Sequence, residues 1–129
     1  KLVLGFSLTE KGTVLIETGT LHELGQVVED ALAIARELGN PDLLFEAEIL
    51  AAKHHRLQNN PAEAETLLQN LLQRPLQLAQ QAAVYAELFK IHPERAELRQ
   101  DALRLYYELY TATPRYSFKM QIDALEEQI

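Results

Sequence analysis

From residue 12 to residue 28 the chain reads GTVLIETGTLHELGQVV, and from 52 to 68 it reads AKHHRLQNNPAEAETLL. The two stretches share few identities but a common frame, forty residues apart. Gly12 answers to Ala52, Leu15 to His55, Gly19 to Asn59, Leu24 to Ala64 and Val28 to Leu68, while Leu4 precedes the first set as Leu44 precedes the second. In each unit a small residue comes first and a larger one three positions later. Gly or Asn follows at a point where two helices can be joined through a turn with φ > 0. Ala86, Phe89 and Ala102 place a third unit downstream, with its turn lengthened around His92-Pro93-Glu94-Arg95. The frame predicts helical pairs in which small residues bring the two helices of a pair close together, and larger ones fill the space between pairs.

Local signals agree with the frame. Apolar residues step by three and four through Leu24–Leu38, Leu43–His54, Ala64–Leu72 and Ala102–Tyr110, as one buried face of a helix requires. Asn40-Pro41 and Asn60-Pro61 each place a capping side chain before a proline at the first helical position. Glu63 is expected to reach back to the Asn60 N–H as a capping box, and Pro75, Pro93 and Pro114 are read as further helix openers. Gly39 suits a left-handed helix end. Residues 1–20 carry four Thr together with Val3, Val14 and Ile16, and Glu10-Lys11-Gly12 could turn a β-hairpin; the repeat decides for helix. Helices are expected at about 3–18, 20–38, 41–58, 61–73, 76–91, 94–112 and 115–127.

Composition narrows the chemistry. Among 129 residues stand 24 Leu and 16 Ala but only five Val and six Ile, an apolar fraction of the helix-forming kind. A net charge of −7 argues against nucleic acid, because phosphate neutralisation needs Lys and Arg. No apolar run has the length of a membrane span. With no Cys there is no disulfide framework or thiolate chemistry, which fits a reducing, cytoplasmic setting. The five Gly are scattered, so no phosphate loop is present, and neither Ser7 nor Ser117 stands in a nucleophile motif. His54 and His55, adjacent on a helix, point about 100° apart and do not chelate one metal together. No catalytic residue, metal or cofactor is assigned, and His55 is read as a packing residue. A histidine phosphotransfer domain, also small, acidic and helical, is a lesser alternative resting on this pair.

The motifs quoted above resemble the tetratricopeptide repeat (TPR) family from about Val3 to Pro114. Ala31–Asn40 is similar to the end of the second helix in its longer-period variety. Leu24 stands where that family usually has Ala, and the third turn is stretched. The resemblance implies an all-α, right-handed superhelical stack of about three antiparallel hairpins (3–38, 41–73, 76–112) with a capping helix at 115–127. All of 1–129 is expected to form a single domain, a fragment of a longer protein that the resemblance associates with bacterial-type signalling or regulation.

It also implies a non-catalytic scaffold whose concave groove, lined by the first helix of each pair, binds a protein or peptide. Carried through the frame, the groove takes Phe6, Thr9, Thr13 and Ile16 from the first unit. Glu46, Ile49, Lys53 and Arg56 come from the second, and Gln80, Ala83, Glu87 and Lys90 from the third. Lys53, Arg56 and Lys90 make a basic cluster in an acidic chain, suited to an acidic group on the partner. Tyr106 and Tyr110 are expected beneath the capping helix, with Tyr107 facing outward as an exposed anchor. The apolar start, Leu2-Val3-Leu4 with Phe6, raises self-association through the first helix, a homodimer, as the alternative.

Overall fold

The computed structural model describes residues 1–127, and among them the secondary structure is entirely helical. Seven helices follow one another: α1 (Leu2–Glu17), α2 (Leu24–Leu38), α3 (Pro41–Leu57), α4 (Pro61–Leu72), α5 (Leu78–Ile91), α6 (Ala96–Ala112) and α7 (Tyr116–Glu126). Within residues 1–20 the chain is helical over Leu2–Glu17, and no strand forms there. The chain divides into two compact units, Lys1–Leu67 and Leu68 onward, the boundary falling within α4.

The repeat is written into the helix ends. Gly19 and Asn59 both adopt left-handed backbone, φ 72° and 65°. After α1 the N–H of Thr20 reaches the Leu15 carbonyl at 2.9 Å and that of Gly19 the Ile16 carbonyl at 3.2 Å. After α3, forty residues on, Asn60 reaches His55 at 2.8 Å and Asn59 reaches Arg56 at 3.1 Å. Each is a Schellman closure, which satisfies carbonyls that a helix end would otherwise leave orphaned. Gly39 (φ 65°) closes α2 more simply, its N–H meeting the Ala35 carbonyl at 2.9 Å.

Helix starts follow the capping residue more closely than the proline. Pro41 and Pro61 do open helices, and Asn40 Oδ1 accepts from the Leu43 N–H at 3.0 Å. Pro75, Pro93 and Pro114 instead lie in the connections. No Asn precedes them, and the chain runs two or three residues further before a helix begins. α5 starts behind a capping box that the sequence reading missed, Gln77 with Gln80. The box expected at Asn60 does not form, because the Asn60 N–H is taken by the His55 carbonyl. α2 begins at Leu24 rather than 20, since Thr20 is spent on the α1 closure and the Leu24 N–H turns back to Leu21.

In the first unit α1, α2 and α3 all touch one another. A Cβ placed on Gly5 would stand 2.5 Å from Leu43 Cδ2 and 3.2 Å from Ile34 Cγ2, and one on Gly12 would meet Leu50 at 3.0 Å and closer. Gly5 faces Leu43 and Gly12 faces Leu50, so α1 and α3 run parallel with two leucines seated on bare backbone. α2 runs the other way: Ile34, late in α2, lies by Gly5, and Gly25, early in α2, lies by His54, late in α3. The small residue at position 12 therefore serves the contact with α3, not the expected contact with α2. Behind it, Leu24, Val28, Leu50 and Ala51 form one buried cluster and Ala31, Ala35, Leu43 and Ala47 another.

In the second unit α5 packs on α6 and α6 on α7. Ala102, Leu105 and Tyr106 are buried on α6, and Ile122 and Leu125 on α7. The Tyr106 and Phe118 rings lie 6.4 Å apart, and Arg99 Nε donates to the Leu125 carbonyl at 2.7 Å.

A Gly→Ala change at an open helix position stabilises by about 1 kcal/mol, whereas overpacking a filled core costs about 1–3 kcal/mol. Leu50 is 2% exposed and has little room to yield. Urea unfolding is therefore expected to show Gly12→Ala as destabilising by about 1 kcal/mol. In a Leu50→Ala background the same change becomes stabilising; no sign reversal would mean the leucine does not fill this site.

Candidate functional site

The face expected to receive a partner draws on α1 and α3 in the first unit and on α5 in the second. On α1, Thr9 is buried at 6% exposure, its Oγ1 donating to the Phe6 carbonyl at 2.8 Å. Phe6 is half-buried and packs against the Ala31–Ala47 cluster. Thr13 is exposed, but its hydroxyl donates to the Thr9 carbonyl at 3.1 Å. The α1 stripe is thus partly consumed by the core: Gly5, Thr9, Gly12 and Leu15 are its buried face.

On α3, Ile49 is buried, Glu46 is exposed, and Lys53 and Arg56 are half-buried. Partial dehydration around the Glu46 carboxyl pushes its pKa upward; the positive charge of Lys53 opposes the shift and the negative charge of Asp42 adds to it. Glu46 and Lys53 are therefore electrostatic neighbours along one helix face. α3 places the charges of Glu46, Lys53 and Arg56, one negative and two positive, on that face of the first unit.

In the second unit the α5 residues have local work. Gln80 Oε1 accepts from the Gln77 N–H at 3.0 Å in the helix cap. Glu87 is buried at 4% exposure and accepts from Lys90 Nζ at 3.0 Å. Its charge adds to the effect of burial on Tyr106, whose phenol is pushed up to about 12. Glu87 is a closed structural anion, not a group presented to a partner. Of the α5 set, Lys90 keeps an exposed side chain, and Ala83 is half-buried.

Tyr107 is 47% exposed, and its hydroxyl donates to Glu126 of α7. That hydrogen bond, then loss of solvent, then the charges of Glu126 and Asp123 raise its pKa. Tyr106 is buried next to Phe118 of α7, and Tyr110 is half-buried. Tyr116 and Met120 on α7 are 71% and 55% exposed; neither carries a helical-repeat signal in the sequence.

His54 and His55 are both half-buried, their rings 6.2 Å apart. His54 lies over Gly25, within ordinary van der Waals reach of where a Cβ would stand, 3.4 Å from Cε1. Burial, then the neighbouring His55, lowers the His54 pKa from 6.5. The positive end of the α2 dipole works in the same direction. His55 Nδ1 stands 3.3 Å from Glu63 Oε2 beside an open hollow of about 350 Å³, which Ala62, Thr66 and Leu67 also line. Among the described residues no three His, Cys, Asp or Glu side chains converge as metal ligands, and no helix is long and apolar enough to cross a membrane.

The lowered His54 pKa sets the sign of a pH effect. Folding prefers the neutral ring, so the unfolded chain binds more protons, and stability falls as pH drops from about 6.5 through the lower folded value. Thermal unfolding of His54→Gln is expected to lose this part of the slope between about pH 7 and 5. An unchanged slope would exclude His54 as its source.

Searches against protein-family models, curated proteins and solved structures return no match to this chain.

Proposed function

We propose that this chain is a non-catalytic protein-interaction scaffold. In this reading its helical pairs belong to a right-handed superhelical stack of TPR type within a signalling or regulatory protein, and the α1–α3 face of the first unit receives a segment of a protein partner. One observation carries the reading. α1 and α3, one repeat apart, run parallel and in direct contact, with Leu43 and Leu50 on Gly5 and Gly12 and with matching Schellman ends. Parallel helices that recur one period apart are the geometry by which helical-repeat proteins build an extended binding surface. On that surface Thr13, Glu46, Lys53 and Arg56 stay open to solvent at least in part. Lys53 and Arg56 favour an acidic segment, each exposed pair contributing about 0.5–1 kcal/mol.

A second reading has its own observation. α1 leaves Val3 81%, Leu4 55% and Val14 54% exposed, which favours self-association through that helix. Under it, the first helix buries these side chains against a second copy.

The two readings separate by experiment. Lys53→Glu combined with Arg56→Glu is expected to abolish capture of a specific partner identified by mass spectrometry. In sedimentation the same variant stays monomeric at all concentrations, as does the unaltered chain. Unchanged capture excludes the α1–α3 face. Concentration-dependent dimers that Val3→Glu abolishes favour the second reading.

A further inference from the structure

We propose that the hollow at the α3–α4 turn receives one arginine side chain of a protein partner, its aliphatic stem on α4 and its guanidinium on the Glu63 carboxylate. The site rests on the scaffold reading but lies apart from the Lys53 and Arg56 charges used there, and it falls wholly within the first unit. Steps of four, from Ala62 to Thr66 and from Glu63 to Leu67, set four lining residues on one side of α4. His55, in the last turn of α3, completes the wall. The hollow measures about 350 Å³ and opens to solvent. Pockets that enclose a whole small ligand run to about 300–1,000 Å³. At the small, open end of that range, the hollow suits one side chain from a segment lying across it.

The lining is apolar apart from one exposed charge. Leu67 is half-buried and packs on the cluster of Leu24, Val28, Leu50 and Ala51, so the floor is anchored in the core. Thr66 spends its hydroxyl proton on the Ala62 carbonyl at 3.0 Å. The Glu63 side chain is 69% exposed, and its Oε2 stands 3.3 Å from His55 Nδ1, beyond the roughly 2.7–2.9 Å of a charge-assisted hydrogen bond. It has no capping duty either, because the Asn60 N–H is taken by the His55 carbonyl. An apolar floor beside an open carboxylate complements a side chain that is apolar along its stem and cationic at its tip. Arginine fits better than lysine: its guanidinium is more weakly hydrated, and its planar fork matches a carboxylate. An acidic side chain is repelled by Glu63, and a wholly apolar one covers that charge without answering it. The net charge of −7 draws a basic segment toward the chain in the first place.

The probe is N-acetyl-arginine methylamide, titrated into the isotope-labelled full chain and followed by two-dimensional NMR. Saturable shifts at millimolar probe are expected at His55 and across 62–67. The norleucine analogue, which keeps the stem and lacks the charge, binds more weakly, and the glutamate analogue gives no shifts there. Glu63→Gln is expected to weaken arginine binding about two- to fivefold, the worth of one exposed ion pair. Ala62→Leu, at an exposed position, fills the hollow and removes the shifts while the rest of the spectrum stays folded. Shifts that fail to saturate or fall elsewhere, an equal response to norleucine, or binding that survives Glu63→Gln at full strength each overturn the proposal. The probe needs no partner, so these outcomes are separate from partner capture by the Lys53→Glu, Arg56→Glu variant, which tests the scaffold reading.

Discussion

The first unit depends on two leucines set against two glycines. Leu43 and Leu50 are fully or almost fully buried because α1 offers no Cβ at Gly5 and Gly12. The approach has a cost, since glycine inside a helix is less favourable than alanine by about 1 kcal/mol. Burying a leucine side chain returns about 1.5–3 kcal/mol, so the exchange favours the close contact. Once α1 and α3 lie parallel at this distance, α2 has one place left, antiparallel behind both, and there it completes the two buried clusters.

The same contact decides which side chains stay open to solvent. Turning Gly5, Thr9 and Gly12 inward draws Phe6 half into the core and leaves Thr13 outside. On α3 it buries Leu43, Ala47 and Leu50 and leaves Glu46, Lys53 and Arg56 along an open flank. In the proposed scaffold the charged flank keeps its spacing because apolar packing, not the charges, holds the helix beneath it. Exposed ion pairs such as Lys1–Glu37 and Lys119–Asp123 add little to that support.

Burial also explains why several polar residues on the expected face are not docking groups. Glu87 and Thr9 resemble surface residues by type, and helical spacing alone sets them on an open face. Each has a nearby partner, Lys90 for one and the Phe6 carbonyl for the other, so each can be buried without a stranded polar atom. Spacing reports direction around a helix axis. It does not report how much of that direction a neighbouring helix covers.

Helix order, the left-handed ends at Gly19, Gly39 and Asn59, and the cap at Asn40 were legible in the residues, because each rests on contacts within a few positions of the chain. The forty-residue frame was legible for the same reason: it is a pattern of local choices repeated. The partner of Gly12 was not, since a small residue says that something comes close and not which helix it is. Nor was the meeting of His55 with Glu63, where two unremarkable residues on different helices face each other across a turn. Local backbone chemistry determined where helices start and stop; only the packing of one helix on another decided which side chains share a site.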